Sequence, residues 1–340
     1  MRSHPRALIA IVLAVSSLAA GRGLPAAEEK KPAAGAAPPA GEKAAGAGKA
    51  APAGDAEALF LSGQESFRKG QDAFEGRGPV ADPAPFLAEA ARSFEELVRR
   101  FPDDARTPDG ALRLGTTYLL LDRMEKALAA YQRVLDSYPG FRDRDLALIR
   151  VGVCQAGLDD PAKAKATFER FLREFPDRKS EADKVAKYIR ELSIVGRKAP
   201  RLAPSGWLNG MVGPEGLDAF QGQPIVLVFF ATWCPNTRKE LPHLRAILKK
   251  WAGSDVVPIG VVDPEDPQGT VPVETYVSTN KLEFLDVALD KGSRSLGPFR
   301  VTGFPAAALI DRKGVLRWRG HLAFFPNPLV QKVVGEREKP

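Results

Sequence analysis

The residues best suited to carry chemistry lie where an apolar run, residues 224–230, leads to Cys234 and Pro235. The run PIVLVFF is continuous and short, which predicts a strand buried on both faces. Pro235 suits the first turn of a following helix, because its missing N–H is not needed there. Unpaired backbone N–H groups and the positive end of the helix dipole would then face the sulfur. This environment favours the thiolate, so we predict that Cys234 is a nucleophile.

The segment around Cys234 and a second segment downstream resemble the thioredoxin superfamily, in particular its exported TlpA-like, AhpC/TSA-type branch. The first segment reads FFATWCP and continues to Glu240-Leu241-Pro242, and the second reads VTGFPAAALID. The resemblance spans residues 198–335 and implies that Pro305 is a cis-proline facing Cys234. It also implies that the main chain at Phe304 docks a substrate peptide. The substrate-binding residues predicted in this way are Trp233, Pro235, Phe304 and Pro305.

The sequence departs from this family where a second cysteine is normally found. In dithiol members that cysteine lies one helical turn after the first and resolves the mixed disulfide, but here the position is Thr237. Residues 234 and 237 share a helix face, so Thr237 is placed to donate a hydrogen bond to the thiolate. Threonine cannot form a disulfide, which excludes a dithiol cycle by this motif. A monothiol route remains, in which an external or substrate thiol resolves the mixed disulfide.

Two alternatives to monothiol exchange stay open. At the position of Val228, thioredoxins carry a buried acid that helps to transfer protons. The absence of this acid favours weak or different chemistry at Cys234. The first alternative is therefore an envelope scaffold that only binds a partner and in which Cys234 is a remnant thiol. The other alternative is a one-cysteine peroxidase.

A peroxidase of this fold needs a threonine three residues before its cysteine and an arginine elsewhere. Here the residue three before is Ala231, and Thr232 lies only two before. Arg294 or Arg300 would have to supply the arginine, and no pattern in the sequence places either of them at the site.

Few other residues are candidates for chemistry. Cys154, the second of two cysteines, lies in VGVCQAG on a predicted repeat helix, where an inert core residue is expected. His243 lies nine residues along the helix from Cys234, about 13 Å of rise, and His321 is the other histidine beyond the N-terminal leader. The acidic segment DPEDP, residues 263–267, lacks the alternating ligands of a calcium loop. We therefore predict no metal and no cofactor.

A 37-residue period runs through the middle of the chain. The positions in phase are Ala90, Ala127 and Ala164, then Phe94, Tyr131 and Phe168, then Pro102, Pro139 and Pro176. An alanine and an aromatic residue four apart on one helix face, followed by a proline that ends the helix, predict paired-helix repeats. The pattern resembles the tetratricopeptide (TPR) family, whose helix-A positions match Gly115, Tyr118 and Gly152.

The TPR resemblance implies a stacked solenoid with a concave surface for a protein partner, and the alternative is a spacer or dimerisation module. The first repeat departs from the pattern, because a helix at about residues 56–75 precedes an inserted EGRGPVADPAP loop. We expect it to be an irregular cap, and a last helix at residues 179–195 to close the stack.

The N-terminal residues have the pattern of a secretory signal peptide. Arg2 and Arg6 precede an apolar run at residues 7–15, and residues 17–19 fit the small-x-small cleavage pattern. The run is shorter than the roughly 20 residues of a membrane-spanning helix, and no cysteine near the cleavage site allows lipidation. We expect export to the periplasm or secretion, without a stable membrane span.

We thus divide the chain into a signal peptide (1–21), a disordered Ala/Pro/Gly/Lys linker (22–54), TPR-like repeats (55–196) and a thioredoxin-like domain (197–340). The predicted fold class is an all-α TPR-like solenoid followed by an α/β thioredoxin-like fold. The net charge of +7 forms no Lys/Arg stripe with interleaved aromatic residues, which argues against a nucleic-acid partner. The predicted function is thiol-disulfide exchange on a protein partner by Cys234, with Thr237 beside it and an external thiol or reductase to regenerate it.

Within residues 197–340 the apolar pattern alternates between short runs and helical periods. It predicts a linker and loop at 196–216, strands at 224–230, 256–262, 284–289 and two within 306–320, and helices at 235–251, 272–280 and 326–335.

Overall fold

The computed structural model describes residues 53–74, 82–202, 204–210, 216–266, 268–269 and 271–336. The predicted signal peptide and the predicted linker as far as residue 52 lie outside the described residues. Two residues assigned to that linker, Ala53 and Gly54, belong to the first helix instead.

The described part of the N-terminal half is a helical array, defined here as residues 53–192. Its helices are α1 (Ala53–Phe74), α2 (Ala84–Arg100), α3 (Thr107–Leu120), α4 (Met124–Ser137), α5 (Arg144–Gly157), α6 (Pro161–Glu174) and α7 (Lys179–Leu192). Consecutive helices pack as the pairs α1–α2, α3–α4 and α5–α6, and α7 closes the array against α6. The predicted paired-helix architecture is therefore present.

A glycine on the first helix of each pair explains the close approach of the second. A Cβ atom on Gly115 would lie 2.5 Å from the Tyr131 ring, and one on Gly152 would lie 2.5 Å from the Phe168 ring. Gly63 stands in the same relation to Phe94, at 2.6 Å. The first pair therefore makes the same contact between a glycine and an aromatic ring as the other two pairs.

The described part of the C-terminal half contains one mixed sheet and three α-helices. The strands are β1 (Gly206–Leu208), β2 (Ile225–Phe229), β3 (Val257–Val262), β4 (Asp286–Leu289), β5 (Ala306–Ile310) and β6 (Leu316–His321), and the helices are α8 (Pro235–Trp251), α9 (Val273–Thr279) and α10 (Asn327–Gly335). The strand order is β1-β4-β3-β2-β5-β6. Strands β2, β3 and β4 run parallel, and β1, β5 and β6 pair antiparallel with their neighbours.

Strand β1 corrects the prediction of a linker and loop over residues 196–216. Residues Gly206, Trp207 and Leu208 pair with Leu289, Ala288 and Val287 of β4. A strand of three residues is too short to produce a recognisable alternation, and the surrounding Gly and Pro residues indicated a loop.

The two faces of the sheet belong to different cores. Leu227 and Phe229 face a core that includes Phe299, whereas Val226 and Val228 face α8 and α10. The second core is continuous with the apolar interior of the helical array. The array and the C-terminal domain are thus joined through buried hydrophobic side chains. The burial of apolar surface is the dominant favourable contribution to the free energy of such packing.

Turns of the array bind cations of the C-terminal domain at equivalent positions of two repeats. Asp122 and Asp159 are 37 residues apart, and each has a positive φ at the turn within its helix pair. Asp122 pairs with Lys250 at 2.5 Å, and Asp159 pairs with Arg317 and with Lys332 at 2.6 Å each. The repeat period therefore sets the spacing of the ion pairs between the two halves.

Further contacts cover helices α5 and α7 of the array. Arg150 of α5 places its guanidinium 4.8 Å from the Phe324 ring centre, and Glu191 of α7 lies 3.7 Å from Arg319 of β6. Burial raises the pKa of Glu191, and the nearby Arg319 offsets part of this rise. These helix faces therefore contact the chain's own C-terminal domain rather than lying open to a partner.

Within the described residues, no helix combines the length and the apolar character that crossing a membrane requires.

We predict that Gly152→Ala destabilises the protein, because the added methyl group overlaps the Phe168 ring. Overpacking of this kind costs about 1–3 kcal/mol, against the gain of up to about 1 kcal/mol that alanine brings to a helix. Gly140→Ala is the matched control, since a Cβ atom at Gly140 meets nothing within 4 Å. Urea unfolding followed by circular dichroism measures both, and equal free energies of unfolding for the two variants would contradict the packing described.

We further predict an acid-sensitive contribution to stability from Asp159. Burial alone would raise the pKa of Asp159, but hydrogen bonds and charge from Arg317 and Lys332 leave it below its ordinary value. The folded state then binds fewer protons than the unfolded state, so this contribution is present above about pH 4 and is lost as the pH falls through the folded pKa. The free energy of unfolding should depend less steeply on pH between about 3 and 5 in Asp159→Asn than in the wild type. Parallel pH profiles would show that the pairs do not stabilise the fold.

Candidate active site around Cys234

Cys234 occupies the N-cap of helix α8, as its position before Pro235 predicted. Its backbone is extended, with φ −74° and ψ 119°, and Pro235 is the first helical residue. The turn before the helix is closed by a hydrogen bond from the Cys234 N–H to the Ala231 carbonyl at 3.2 Å. The sulfur therefore sits at the positive end of a 17-residue helix, which is the setting expected for a nucleophilic thiolate.

The structure brings Cys234 together with the second predicted segment. The Cys234 thiol donates a hydrogen bond to the Phe304 carbonyl, with Sγ and O 3.6 Å apart. The Phe304–Pro305 peptide bond is cis, as the family resemblance implies, and β5 begins at the next residue, Ala306. Two motifs that lie 71 residues apart in the sequence are thus adjacent across β2 and β5, which pair directly.

Cys234 is nearly buried. Its relative exposure is 7%. The rings of Trp233 and Phe304 lie beside it in an edge-to-face contact with centres 6.2 Å apart. Asp266 holds this arrangement by accepting a hydrogen bond from the Trp233 indole at 2.7 Å.

Thr237 does not make the hydrogen bond that its helix position suggested. It lies within the first turn of α8 and is 3% exposed, but its hydroxyl has no hydrogen-bond partner among the described residues. Sharing a helix face with Cys234 places it on the correct side without bringing the hydroxyl into contact with the sulfur. The donation to Cys234 is therefore absent from this arrangement.

Two buried groups near the site were not assigned a role from the sequence. Tyr276 of α9 stacks on Phe230 with ring centres 6.0 Å apart, and its hydroxyl has no partner in the described part of the chain. Burial raises the pKa of Tyr276, Arg238 lowers it, and the charge of Cys234 raises it further. Tyr276 therefore lies close enough to the sulfur to sense its ionisation, which no spacing in the sequence indicates.

The other group is Glu240, which is 5% exposed one turn beyond Thr237. One carboxylate oxygen lies 3.6 Å from His321 Nδ1. That nitrogen accepts a hydrogen bond from the Ala323 N–H, and burial lowers the pKa of His321 to about 3, so the imidazole is neutral. The spacing of 234, 237 and 240 along one helix face is the sequence signal that points to Glu240.

The remaining candidates lie away from Cys234. Cys154 is fully buried in α5, and burial raises the pKa of its thiol to about 12, as expected of an inert core residue. The His243 ring packs at a tilt against Phe74 of α1, with ring centres 4.8 Å apart, and burial lowers the pKa of His243 to about 4. Arg294 and Arg300 are exposed to solvent, and the described contacts of Cys234 include neither of them.

The order of strands, the cysteine at a helix N-cap and the facing cis-proline define a thioredoxin-like domain. Residues 195–319 match the AhpC/TSA family, and residues 109–140 and 146–178 match the tetratricopeptide repeat. The chain therefore consists, in these parts, of tetratricopeptide repeats followed by a thioredoxin-like domain of the AhpC/TSA type. Both predicted resemblances and the predicted fold class are confirmed.

Several curated relatives are named as thiol-disulfide oxidoreductases. The thiol-disulfide oxidoreductase ResA of a Bacillus cereus strain is 26% identical over 151 residues, which are 44% of this chain and 75% of that protein. The sporulation thiol-disulfide oxidoreductase A of Bacillus subtilis is 29% identical over 96 residues, covering 28% of this chain and 56% of that protein. The C-terminal domain is thus similar to thiol-disulfide oxidoreductases.

Solved structures of this fold were also found. The thioredoxin-like superfamily protein SPOA0173 aligns with 41% of this chain and 97% of its own length, at 20% identity and a TM-score of 0.35. A mixed oxidised and reduced structure of MTB dsbF aligns with 40% of this chain and 98% of its own length, at 22% identity and a TM-score of 0.32.

We predict that an alkylating reagent at pH 8 modifies Cys234 and leaves Cys154 unmodified in the folded protein. With a pKa of about 12, roughly one Cys154 thiol in ten thousand is ionised at that pH, and the thiol is also fully buried. Mass spectrometry after timed labelling gives the rates at the two sites. Cys234→Ser should remove the modification and Cys154→Ser should leave it; the reverse result would assign the reactive sulfur to the helical array.

Proposed function

We propose that this protein carries out thiol-disulfide exchange on a partner protein with a single catalytic sulfur, that of Cys234. The observation that carries the proposal is the placement of Cys234 at the N-cap of α8 and against the Phe304 carbonyl, with a threonine where a dithiol enzyme has its second cysteine. Its similarity to thiol-disulfide oxidoreductases supports the class of chemistry.

The proposed reaction has two exchange steps. The Cys234 thiolate attacks one sulfur of a partner disulfide, forming a mixed disulfide and releasing the other partner sulfur as a thiolate. A second thiol then attacks the mixed disulfide, forms a new disulfide with the partner sulfur and releases the Cys234 thiolate. When the second thiol belongs to the partner, the disulfide is rearranged without net oxidation. When it is external, the product is a mixed disulfide between that thiol and one partner sulfur, and the other partner sulfur is a free thiolate; a further external thiol completes the reduction by forming a disulfide with the first.

The second thiol must come from outside the active site. The chain has two cysteines, and Cys154 lies buried in α5 with a raised pKa, so it does not resolve a mixed disulfide at Cys234. Thr237 contributes no sulfur. An external thiol or reductase, or a partner thiol, is therefore part of the proposal.

The groups around the sulfur have proposed roles in binding the partner. Trp233, Pro235, Phe304 and Pro305 would form the surface against which a segment of the partner lies. Because Cys234 is only 7% exposed, that segment must place its disulfide along the Phe304–Pro305 main chain. The unpaired N–H groups at the start of α8 would stabilise the thiolate form of Cys234.

Export is the second part of the proposal, because disulfide substrates persist in oxidising compartments. The leader at residues 1–21 supports it by its charge and apolar pattern. The tetratricopeptide repeats would bind the partner through surfaces not covered by the C-terminal domain, which excludes the contact faces of α5 and α7.

One observation favours a second candidate function, a scaffold that binds a partner without chemistry. The low exposure of Cys234 is what a remnant thiol in a packed domain would also show. Cys234→Ser separates the two functions, since a scaffold keeps its activity in that variant and a monothiol enzyme loses it.

We predict that Thr237→Cys converts single exchange into a two-step reaction. With a neutral pyridyl disulfide, the wild-type chain should release one equivalent of chromophore and remain as a stable mixed disulfide. Thr237→Cys should release two equivalents, because the new cysteine one turn away attacks the mixed disulfide and forms an internal bridge.

The experiment is made in a Cys154→Ser background, with Thr237→Ser as the matched control that keeps the hydroxyl and adds no sulfur. Absorbance gives the number of equivalents. Two equivalents from the wild-type chain, or none, would contradict the monothiol mechanism.

A further inference from the structure

The segment that carries the cis-proline is held at both ends by one buried arginine. Arg319 of β6, which is 3% exposed, donates hydrogen bonds to the Phe299 carbonyl at 2.8 Å and to the Arg300 carbonyl at 3.3 Å. It also donates to the Ala307 carbonyl at 3.5 Å. The first two carbonyls precede the Phe304–Pro305 peptide bond, and the third follows it. The guanidinium therefore spans the segment whose main chain accepts a hydrogen bond from the catalytic thiol.

The shape of the guanidinium explains why an arginine can make these contacts. Its N–H donors form a rigid planar fork, and Nε, Nη1 and Nη2 of Arg319 all donate to backbone carbonyls. A lysine would donate from a single nitrogen and could not reach carbonyls on both sides of the cis-proline. The guanidinium also lies 6.0 Å from the ring centre of Phe229, which ends the strand leading to Cys234.

The charge of Arg319 is compensated by the helical array. Glu191 of α7 is also 3% exposed, and its carboxylate lies 3.7 Å from Arg319 Nη2. Among the described residues, Glu191 is the carboxylate that forms an ion pair with Arg319, and it also lies 3.9 Å from Lys187. Burial disfavours the charged guanidinium and lowers the pKa of Arg319, and the charge of Glu191 offsets part of this effect.

The three carbonyl contacts therefore depend on a residue of the other half of the chain. A buried charge that loses its partner is strongly destabilised, because nothing replaces the solvation that it gave up on folding. Without the carboxylate of Glu191, Arg319 and Lys187 would be two neighbouring cations with no negative charge between them. The guanidinium would then be driven away from the position in which it holds residues 299–307.

We propose that Glu191 and Arg319 are positioning residues: α7 of the array, through Arg319, holds the Phe304–Pro305 main chain in the place where a partner disulfide docks. This rests on the function proposed above. Among the described contacts of Cys234, neither side chain is present, so both act through the main chain of residues 299–307. The helical array is thus a structural component of the active site.

Glu191→Gln tests the coupling, because it keeps the size of the side chain and removes its charge. Hydrogen exchange of the full-length chain, measured by mass spectrometry, reports on the N–H groups of residues 299–301, which donate to carbonyls of residues 295–297. We expect these groups to exchange about tenfold faster in Glu191→Gln, as for the loss of about one hydrogen bond to a charged group.

Asp159→Asn is the matched control. It also removes a carboxylate of the array that pairs with the C-terminal domain, but its partners are Arg317 and Lys332 and not Arg319. Exchange at residues 299–301 should therefore stay as in the wild type.

Chromophore release tests the link between this coupling and the reaction. Two neutral probes carry the same leaving group: dipyridyl disulfide, and a short peptide whose central cysteine is activated as its pyridyl disulfide. The small probe needs no docking along the Phe304–Pro305 main chain, whereas the peptide does. We expect Glu191→Gln to lower the second-order rate constant for the peptide about tenfold and to leave that for the small probe unchanged. Asp159→Asn should keep both rate constants.

Unchanged exchange at residues 299–301 in Glu191→Gln, or the same increase in Asp159→Asn, would overturn the inference. An equal loss of rate with the two probes, or no loss with the peptide, would do so as well. If Glu191→Gln does not fold, Glu191→Asp keeps the charge but withdraws it from Arg319, and the same comparison applies. Hydrogen exchange involves no thiol chemistry, so a wild-type chain that releases chromophore from neither probe refutes the monothiol function, and exchange then decides the coupling alone.

Discussion

The arrangement of this molecule depends on one hydrophobic core that the helical array and the C-terminal domain share. Val226 and Val228 of the central strand face α8 and α10, and the apolar side chains behind those helices run on into the array. Burial of this kind is non-directional and sets no register by itself. The register comes from Asp122 and Asp159, whose ion pairs lie one repeat apart.

The shared core also brings the array close to the catalytic helix. His321 ends β6, where Arg319 meets Glu191 of α7, and its ring lies against Glu240 of α8. Burial and the nearby cations Lys187 and Arg319 lower the pKa of His321, so the imidazole stays neutral beside a carboxylate. Glu240 in turn lies one helical turn beyond Thr237. A continuous set of contacts therefore connects the last helix of the array with the helix that carries Cys234, and any shift of α7 changes the surroundings of Glu240.

The fold class, the bounds of α8 and the position of Cys234 could be predicted from the sequence, whereas contacts between distant segments could not. Helix α8 was predicted with the bounds that it has, because Pro235 marks its start and its apolar period is regular. The contact between Cys234 and Phe304 was predicted from two sequence motifs, whereas nothing in the sequence of residues 263–267 indicates that Asp266 accepts a hydrogen bond from Trp233. The contact of Gly63 with Phe94 was not predicted, because the inserted loop places Gly63 outside the 37-residue period of the other glycines. Contacts between distant segments, such as Tyr276 near Cys234, leave no local pattern to read.

The last turn of the array has a consequence for the integrity of each half. Gly196 lies 37 residues after Asp159 and also has a positive φ. At this point the chain leaves the array and runs along β6. The Gly196 N–H donates a hydrogen bond to the Leu316 carbonyl at 2.8 Å, and the Leu316 N–H donates one to the Arg197 carbonyl at 2.8 Å. Strand β6 is the terminal strand of the sheet, and the outer edge of such a strand recruits other strands unless it is covered. Helix α7 is the terminal helix of a repeat stack, which needs a cap. Each end covers the other, so a cut at residue 196 would uncover the edge of β6 and the outer face of α7 together.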